Sequence, residues 1–280
     1  MDKVITIPFI DGYCFIYIDV KQAEPRTIFS AIGSELVKCD DIYLHLAHGD
    51  KGQRDKIKKN FLASLYSGNI ANALPSEYGE DLNKIIAFEQ ELADYAEQTD
   101  YLKTKLGEKI STTKDKALNT YAQSLTAVLL AAFFENVVSH GRGLGIDITP
   151  VFFQHDAIIY QFPIKWFLHI DLLIRKYFRA ACKKYFDIDY PYKKQLLLKN
   201  WADKYSYDFQ LNKMELTLCL PEVGRDYFLS HLAQNYSFRV MSKTGQSITI
   251  KLIECLPNID WWFLPFEKSV EEHLNNTIFS

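Results

Sequence analysis

The chain has 280 residues, 48% of them apolar, so it is long enough to bury a large core, and its net charge of −3 gives no overall attraction to nucleic acid. It contains no unbroken apolar run of about 18 residues and starts without a long apolar stretch, so we expect neither a membrane span nor a secretory signal. The five cysteines are scattered, which argues against a zinc site or a disulfide framework and favours a cytoplasmic location.

The first part of the chain predicts one strand followed by helices. Residues 13–19 form an apolar, aromatic run that ends on an acid, which is typical of a buried strand. Residues 26–37 have apolar side chains at helical spacing. A basic helix near 52–67 and a mostly polar helix near 79–100 follow.

The second part of the chain predicts a long helix, two strands joined by a polar turn, and then a further helix and strand. Residues 116–138 read as a long helix that ends at Ser139, apolar nearly all round in its second half and so buried against a sheet. Residues 149–162 read as two strands that meet at His155 and Asp156. A helix near 164–185 and a strand near 194–198 follow, and short strand-like runs begin after a boundary near 205.

Two aspartates lie at predicted strand ends. Asp19 ends the first buried strand, and Asp156 lies at the turn between two others. A carboxylate at the end of an apolar strand is costly unless something pairs with it, and Mg2+ is commonly held by one or two carboxylates together with substrate phosphates. The pair, without a His/Cys set nearby, suits phosphoryl transfer by two metal ions. The alternative for either residue is a solvated turn.

The basic helix carries two cations and an aromatic ring along one face. Four residues recur there at a spacing of four: Arg54, Lys58, Leu62 and Tyr66. An adjacent apolar stripe would dock the helix: Ile57, Phe61 and Leu65. The charged face could hold a triphosphate at one end and a base at the other. A simple solvated charged face is the alternative.

Several short segments occur in a specific order. Residues 9–26 (FIDGYCFIYIDVKQAEPR) match a pattern F…GY…DYSQIELR and keep Asp19, Gln22, Glu24 and Arg26. The segment CDDIYLHLA contains Asp41-Ile42-Tyr43, which is similar to a D-I-H segment. The basic helix has the spacing R-x3-K-x7-Y through Arg54, Lys58 and Tyr66. DYLKTKLGEK matches YVETLFGR, and LNTYAQS matches N-x-P-x-Q-G through Asn119 and Gln123.

Two further segments complete the series. FFQHDAIIYQFP resembles VHDExxFEVP, and IDYPYKKQLLLKNWADKY resembles a closing strand with its G-x-x-W ending. In this order the segments resemble motifs A, B and C and the connecting stretches of the family A (DNA polymerase I-like) DNA polymerases. The resemblance covers residues 9–205 and leaves the last 75 residues unmatched.

The resemblance implies an α+β fold: a right-hand palm, which is an antiparallel sheet with covering helices, then fingers helices and a small strand-rich C-terminal module. The expected division is residues 1–50 as palm with motif A, 51–112 as fingers with motif B, 113–205 as palm with motif C, and 206–280 as an extra module. The implied function is DNA-directed DNA polymerisation, with dNTPs and primer-template DNA as ligands.

The resemblance also implies a role for each matching residue. Asp19, Asp156 and the Val20 carbonyl would bind two Mg2+ ions, with Mn2+ as an alternative. Nucleotide binding falls to Arg54, Lys58, Tyr66, Gln22 and Glu24. The Glu24 carboxylate would leave no room for a 2′-hydroxyl and would disfavour RNA synthesis. DNA binding falls to Asn119, Gln123, His155 and Arg26.

Some positions depart from the family pattern. Leu62 stands where the family has Phe or Tyr, and Ala157 replaces the acid after the motif C aspartate. Only eight residues precede Phe9, so we expect a phage-type split polymerase in the cytoplasm (of the host, if viral), whose thumb and exonuclease come from a second polypeptide. One alternative is that residues 206–280 replace the thumb. Another is a catalytically weak, polymerase-like subunit that binds DNA or scaffolds a replication complex.

Overall fold

A computed structural model of the chain describes residues 10–104, 107–154, 156–186, 190–198 and 203–255. These residues form an α+β protein with antiparallel strand pairs, which confirms the expected class. The chain divides into two compact units: unit 1 comprises Met1–Asp19, Phe133–Ala180 and Tyr192–Ser280, and unit 2 comprises Val20–Ala132 and Ala181–Pro191. The expected four-part division into palm, fingers and an extra module stays a prediction.

The helices and strands are named here in chain order. The first half of the chain contains β1 (Tyr13–Val20), α1 (Ala23–Ala31), α2 (Ile42–Leu46), α3 (Lys51–Ser67), α4 (Gly79–Thr99), β2 (Tyr101–Lys103), β3 (Lys109–Ser111) and α5 (Ala117–Gly143). The second half contains β4 (Thr149–Gln154), β5 (Ala157–Pro163), α6 (Phe167–Phe186), β6 (Tyr192–Leu197), β7 (Tyr207–Gln210), β8 (Glu215–Leu218), α7 (Glu222–Leu232), β9 (Tyr236–Lys243) and β10 (Ile248–Cys255).

Unit 1 is built on a four-stranded sheet with the order β4-β5-β1-β6. Alternate residues of β1, such as Ile16 and Ile18, are fully buried, as expected for a strand whose successive side chains face opposite sides. The other face carries Phe15, which packs with Ile159 and Leu197. The sheet is therefore apolar on both faces along β1 until Asp19.

A second four-stranded sheet in unit 1 has the order β7-β8-β10-β9 and corresponds to the predicted strand-rich C-terminal part. The fully buried carboxylate of Asp171 links α6 to this part of the unit. It accepts hydrogen bonds from Lys194, Arg175 and Tyr207, and Arg175 also donates to the Phe209 carbonyl. A buried carboxylate is tolerated only when it is paired and hydrogen-bonded in this way.

Unit 2 contains the predicted basic helix, now α3. Two residues of its predicted apolar stripe, Phe61 and Leu65, are buried as expected, whereas Ile57 is partly exposed. The helix expected over 26–37 is divided instead: α1 ends at Ala31, Gly33 takes a left-handed φ of 67°, and a 3-10 helix follows at Glu35–Lys38. Glycine adopts that conformation without steric cost, so the helix ends there.

One helix, spanning residues 114–143, is long and apolar enough to cross a membrane by length and composition alone. Half of its most apolar window is buried inside the protein. The buried core helix of a soluble protein passes the same test of length and composition, so this result is weak evidence for a membrane span. Phe133 illustrates this burial: it is fully buried and packs edge-on against Tyr160 and Phe178 of unit 1. Packing inside the protein thus accounts for the buried half of this apolar window.

Candidate functional site

The two candidate catalytic aspartates lie at adjoining strand ends in unit 1. Asp19 is the penultimate residue of β1 and pairs with Ala157, the first residue of the antiparallel strand β5. Asp156 is in the turn that immediately precedes Ala157. Both aspartates are partly exposed. The antiparallel register therefore brings together two carboxylates that are far apart in sequence.

Asp19 has Tyr17 as a hydrogen-bond donor, and Lys204 lies against the ring of that tyrosine. The Tyr17 hydroxyl donates a hydrogen bond of 3.2 Å to Oδ2 of Asp19. The Lys204 Nζ lies 3.6 Å from the centre of the Tyr17 ring. Burial, then the charge and hydrogen bond of Asp19, then the charge of Asp156, raise the pKa of Tyr17. The phenol therefore stays protonated and acts as a donor to the carboxylate at neutral pH.

The donor set of this site fits magnesium. Among the residues that the structure describes, no group of three or more His, Cys, Asp or Glu side chains could hold a metal ion. Two carboxylates without nitrogen or sulfur ligands are nevertheless what Mg2+ accepts when substrate phosphates and water complete its shell. Ala157 supplies only a methyl group at the position where the motif C pattern has a further acid. Asp19 and Asp156 are thus the residues that would hold the ion.

In unit 2, the side chain of Arg54 is held by the carboxylate of Asp41, the first residue of the D-I-Y segment. The Arg54 Nε donates to Oδ2 of Asp41 at 2.7 Å, and Nη1 donates to Asp55 at 2.8 Å. Burial alone would raise the pKa of Asp41, but hydrogen bonds from Arg54, the Leu44 N–H and Gln22 together with the charge of Arg54 outweigh it and lower that pKa. The guanidinium is fixed while its side chain stays 29% exposed.

Gln22 supports the same cluster from a strained backbone. It has a left-handed φ of 56°, which is uncommon for a residue other than glycine. Its side-chain amide donates to Asp41 at 2.6 Å and accepts from the Ile42 N–H at 2.9 Å. Asp41 also caps α2 by accepting from the Leu44 N–H. Gln22 was predicted to bind nucleotide, and its amide is engaged in positioning Asp41.

Glu24 and Tyr66 meet in unit 2, although they are far apart in sequence. The Tyr66 hydroxyl donates to Oε1 of Glu24 at 3.3 Å, and the Tyr66 side chain is exposed. Lys58 is exposed one helical turn after Arg54, and Leu62 is partly buried. The predicted cationic face of α3 therefore ends in a tyrosine that is tied to the predicted sugar-selecting acid.

The structure corrects the expectation that Arg26 contacts DNA. Arg26 is 1% exposed, and its guanidinium donates to four backbone carbonyls: Lys21, Val37, Cys39 and Asp40. Burial lowers the pKa of Arg26, and the opposing effects of nearby acidic groups do not offset it fully. A buried guanidinium bonded to backbone holds the loop after α1 in place and does not reach a solvent ligand.

The remaining predicted DNA contacts are on α5 or beyond the described residues. Gln123 is exposed. Asn119 is partly buried, and its Oδ1 atom has no hydrogen-bond partner among the residues that the structure describes. His155 lies outside the residues that the structure describes, as do Asn200 and Trp201 of the closing motif. Val20, the last residue of β1, has a buried side chain.

Sequence reasoning assigned no role to Tyr17, Lys204 or Asp41 at the site. Tyr17 and Asp19 are two residues apart in a strand, so the alternation of side chains was a signal that they share a face. Asp41 was visible as a helix N-cap candidate before an apolar run. Lys204 had no local signal, since only the fold brings it to β1.

The comparisons with known proteins agree with this architecture. No family model matches the chain, and no curated protein matches it in sequence. A solved structure described as the POL domain of Pol1 from M. smegmatis in complex with DNA primer-template and dNTP has a similar fold, with a TM-score of 0.58 and 14% identity. The fold is polymerase-like. The likeness covers 69% of this chain and 41% of that one, so this chain spans less than half of that protein.

Proposed function

We propose that this polymerase-like chain is a DNA-directed DNA polymerase catalytic subunit that transfers a nucleotide from a dNTP to a primer 3′-hydroxyl. The observation that carries the proposal is the pairing of Asp19 with the residue after Asp156 at the end of an antiparallel strand pair. The similar POL domain was solved with DNA primer-template and dNTP, which supports ligands of the same kind here.

In this proposal Asp19 and Asp156 hold divalent cations, with the Val20 carbonyl as a further ligand. When bound, two Mg2+ ions would neutralise the charge that develops on the triphosphate and favour the 3′-oxygen as the nucleophile. The carboxylates of Asp19 and Asp156 bind and orient. Tyr17 holds the Asp19 carboxylate in one orientation through its hydrogen bond.

The nucleotide-binding part of the proposal rests on unit 2. Arg54 and Lys58 are spaced four residues apart on α3, so both cations can meet a row of phosphate oxygens. Asp41 keeps the Arg54 side chain in one conformation, which reduces the entropy lost when a phosphate binds. Glu24, held by Tyr66, is proposed to exclude a 2′-hydroxyl. Asn119 and Gln123 are proposed DNA contacts, whereas Arg26 is not.

One observation favours a second candidate function, a catalytically weak polymerase-like subunit that binds DNA. Ala157 faces Asp19 in the strand ladder, at a position that gives the site no additional carboxylate. A weaker metal site would lower turnover without preventing primer-template binding. A thumb-bearing partner polypeptide stays a prediction under both functions.

Primer extension and DNA binding, measured separately, test the proposal. The parent chain should extend a labelled primer with dNTPs and Mg2+, and Asp19→Asn and Asp156→Asn should each lower the rate by at least about a thousandfold. Both variants should keep the parent's affinity for primer-template, measured by fluorescence anisotropy. Asp208→Asn, an exposed aspartate on β7, is a matched control.

Two outcomes would decide between the functions. Extension within about tenfold of the parent by either site variant corresponds to only about 1.4 kcal/mol of barrier and would contradict the assignment of that aspartate. Primer-template binding by a parent chain that adds no nucleotide would favour the weak, DNA-binding subunit.

A further inference from the structure

A small β-hairpin in unit 2 presents two distinct faces. Its strands β2 and β3 pair Tyr101 with Ser111, Leu102 with Ile110, and Lys103 with Lys109. Leu102 is 5% exposed and packs with Ala96 and Ala117, so this face anchors the hairpin to α4 and α5. The other face therefore carries Tyr101 and the two lysines outward.

The two lysines form a like-charge pair across the strands. Directly opposite like charges on one face of an antiparallel pair destabilise a sheet. Neither Lys103 nor Lys109 has a carboxylate within ion-pair distance among the described residues, and both are exposed. Nearby lysines differ in this respect: Lys114 pairs with Glu97 at 3.1 Å, and Lys84 pairs with Glu80 at 2.7 Å. Within the described part of the chain, no carboxylate neutralises the positive charge of the hairpin.

Aromatic rings lie directly beside these cations. The Lys109 Nζ lies 4.3 Å from the centre of the Tyr101 ring. Tyr95, on the last turns of α4, is 40% exposed, and its ring meets the Tyr101 ring edge-on with 6.1 Å between centres. Tyr101 is itself partly exposed. Accessible aromatic rings beside cations are an arrangement by which proteins hold unpaired nucleic acid, because bases stack on the rings and lysines neutralise the phosphates.

We propose that Tyr95, Tyr101, Lys103 and Lys109 form a hairpin surface that binds single-stranded DNA, namely the unpaired template strand that has not yet been copied. Lys103 and Lys109 contact successive phosphates, and Tyr101 or Tyr95 stacks a base. The inference rests on the proposed function for the identity of the strand as template. Binding itself depends only on the hairpin surface and needs neither dNTP nor metal.

A charge-matched pair of variants tests the lysines. Lys103→Gln/Lys109→Gln removes the two cations that have no carboxylate partner among the described residues. Lys38→Gln/Lys84→Gln removes two exposed lysines of the same unit that have carboxylate partners. The probe is a fluorescein-labelled oligonucleotide of about twelve thymidines, within the usual site size for such surfaces. Anisotropy is measured over a salt series with the full chain, without metal or dNTP.

The hairpin double variant should bind the oligonucleotide about tenfold more weakly at low salt. Its slope of log affinity against log salt should fall by about 1.4, which is about 0.7 for each lost phosphate contact to a single strand. The control pair should stay within about twofold of the parent. Equal losses in both double variants would show a net-charge effect and overturn the proposal, as would no binding by the parent at low salt.

Variants of Tyr101 test stacking and keep the question separate from folding. Tyr101→Leu keeps bulk but removes the aromatic face and should weaken binding about tenfold, whereas Tyr101→Phe should bind within about twofold of the parent. Both should keep the parent's thermal midpoint. Equal binding by Tyr101→Leu and the parent would contradict stacking.

Two further arms separate this inference from others. Polyglutamate at equal charge should compete poorly, and competition equal to that of oligothymidine would replace the DNA site with a general polyanion or acidic-protein site. Asp19→Asn should bind oligothymidine like the parent. A chain that extends primers but shows no hairpin-dependent binding would overturn this inference alone, and a chain that binds but never extends would overturn the proposed function alone.

Discussion

The hydroxyl of Tyr17 donates a 3.2 Å hydrogen bond to the carboxylate of Asp19, two residues further along the same strand. The ammonium of Lys204 lies against the ring of that tyrosine. Burial is the main reason that the pKa of Lys204 is lowered, and Lys193 adds to the shift while Asp19 opposes it. The carboxylate proposed to bind Mg2+ thus already has a donor and a neighbouring cation.

The positive charge of Lys204 should weaken the binding of divalent cations to the Asp19 carboxylate. Lys204→Met should lower the Mg2+ concentration for half-maximal primer extension by about threefold, the size expected from an exposed charge pair. Lys204→Arg should behave like the parent because it keeps the charge. Lys213→Met, in an exposed turn of the same unit, is the control. A magnesium titration in which Lys204→Met and the parent coincide would show that the lysine does not influence the metal site.

Glu24 and Tyr66 should act together in sugar discrimination. Glu24→Ala should raise ribonucleotide incorporation relative to deoxyribonucleotide by at least about tenfold, because the space for a 2′-hydroxyl opens. Tyr66→Phe should give a smaller rise, since it leaves the carboxylate in place but removes its 3.3 Å hydrogen bond. Single-nucleotide kinetics with both substrates measure the ratio, with Glu35→Ala as a surface control. An unchanged ratio in Glu24→Ala would remove Glu24 from sugar selection.

Asp41 should act as the residue that positions Arg54 for phosphate. Asp41→Asn removes the charge but keeps a good helix N-cap, so the loss of α2 stability should be small. The expected result is a rise of about tenfold in KM for dNTP, with kcat changed less. A change of about tenfold is the size expected from the loss of one charge-assisted hydrogen bond. Asp55→Asn removes the more exposed partner, 74% exposed, and should change KM less than about twofold. Similar effects from both variants would refute a special role for Asp41.

His169 should make the stability of unit 1 sensitive to mild acid. Its ring is bonded to the Tyr236 hydroxyl, and burial lowers the pKa of His169 from 6.5 to about 4. A folded-state pKa below the unfolded value gives stability that is complete above pH 6.5 and is lost as pH falls towards 4, by at most about 3 kcal/mol.

Urea unfolding at several pH values between 4 and 7 measures this effect. His169→Gln, which keeps a hydrogen-bonding group but does not titrate, should show a shallower decline with acid than the parent. His48→Gln replaces an exposed histidine that pairs with Glu77 and should follow the parent. If the parent and His169→Gln decline in parallel, His169 is not the titrating group.

Local pattern was sufficient for much of this protein. The apolar, aromatic run at 13–19 predicted β1. The basic helix was predicted near 52–67, with an apolar stripe of which Phe61 and Leu65 are buried. The two aspartates were identified because a carboxylate at the end of an apolar strand needs a partner. These features depend on residues close in sequence, where backbone period and side-chain chemistry act directly.

The tertiary structure alone decided which distant groups meet. The β1–β5 register brings Asp19 beside the turn of Asp156, and the path of the chain brings Lys204 to Tyr17. Arg26 reads as an exposed cation in sequence, yet its guanidinium donates to four backbone carbonyls, one just before α1 and three after it. The identity of a charged residue does not show whether water or backbone carbonyls will accept its hydrogen bonds. That outcome depends on which carbonyls the fold leaves without partners, and only the assembled chain fixes them.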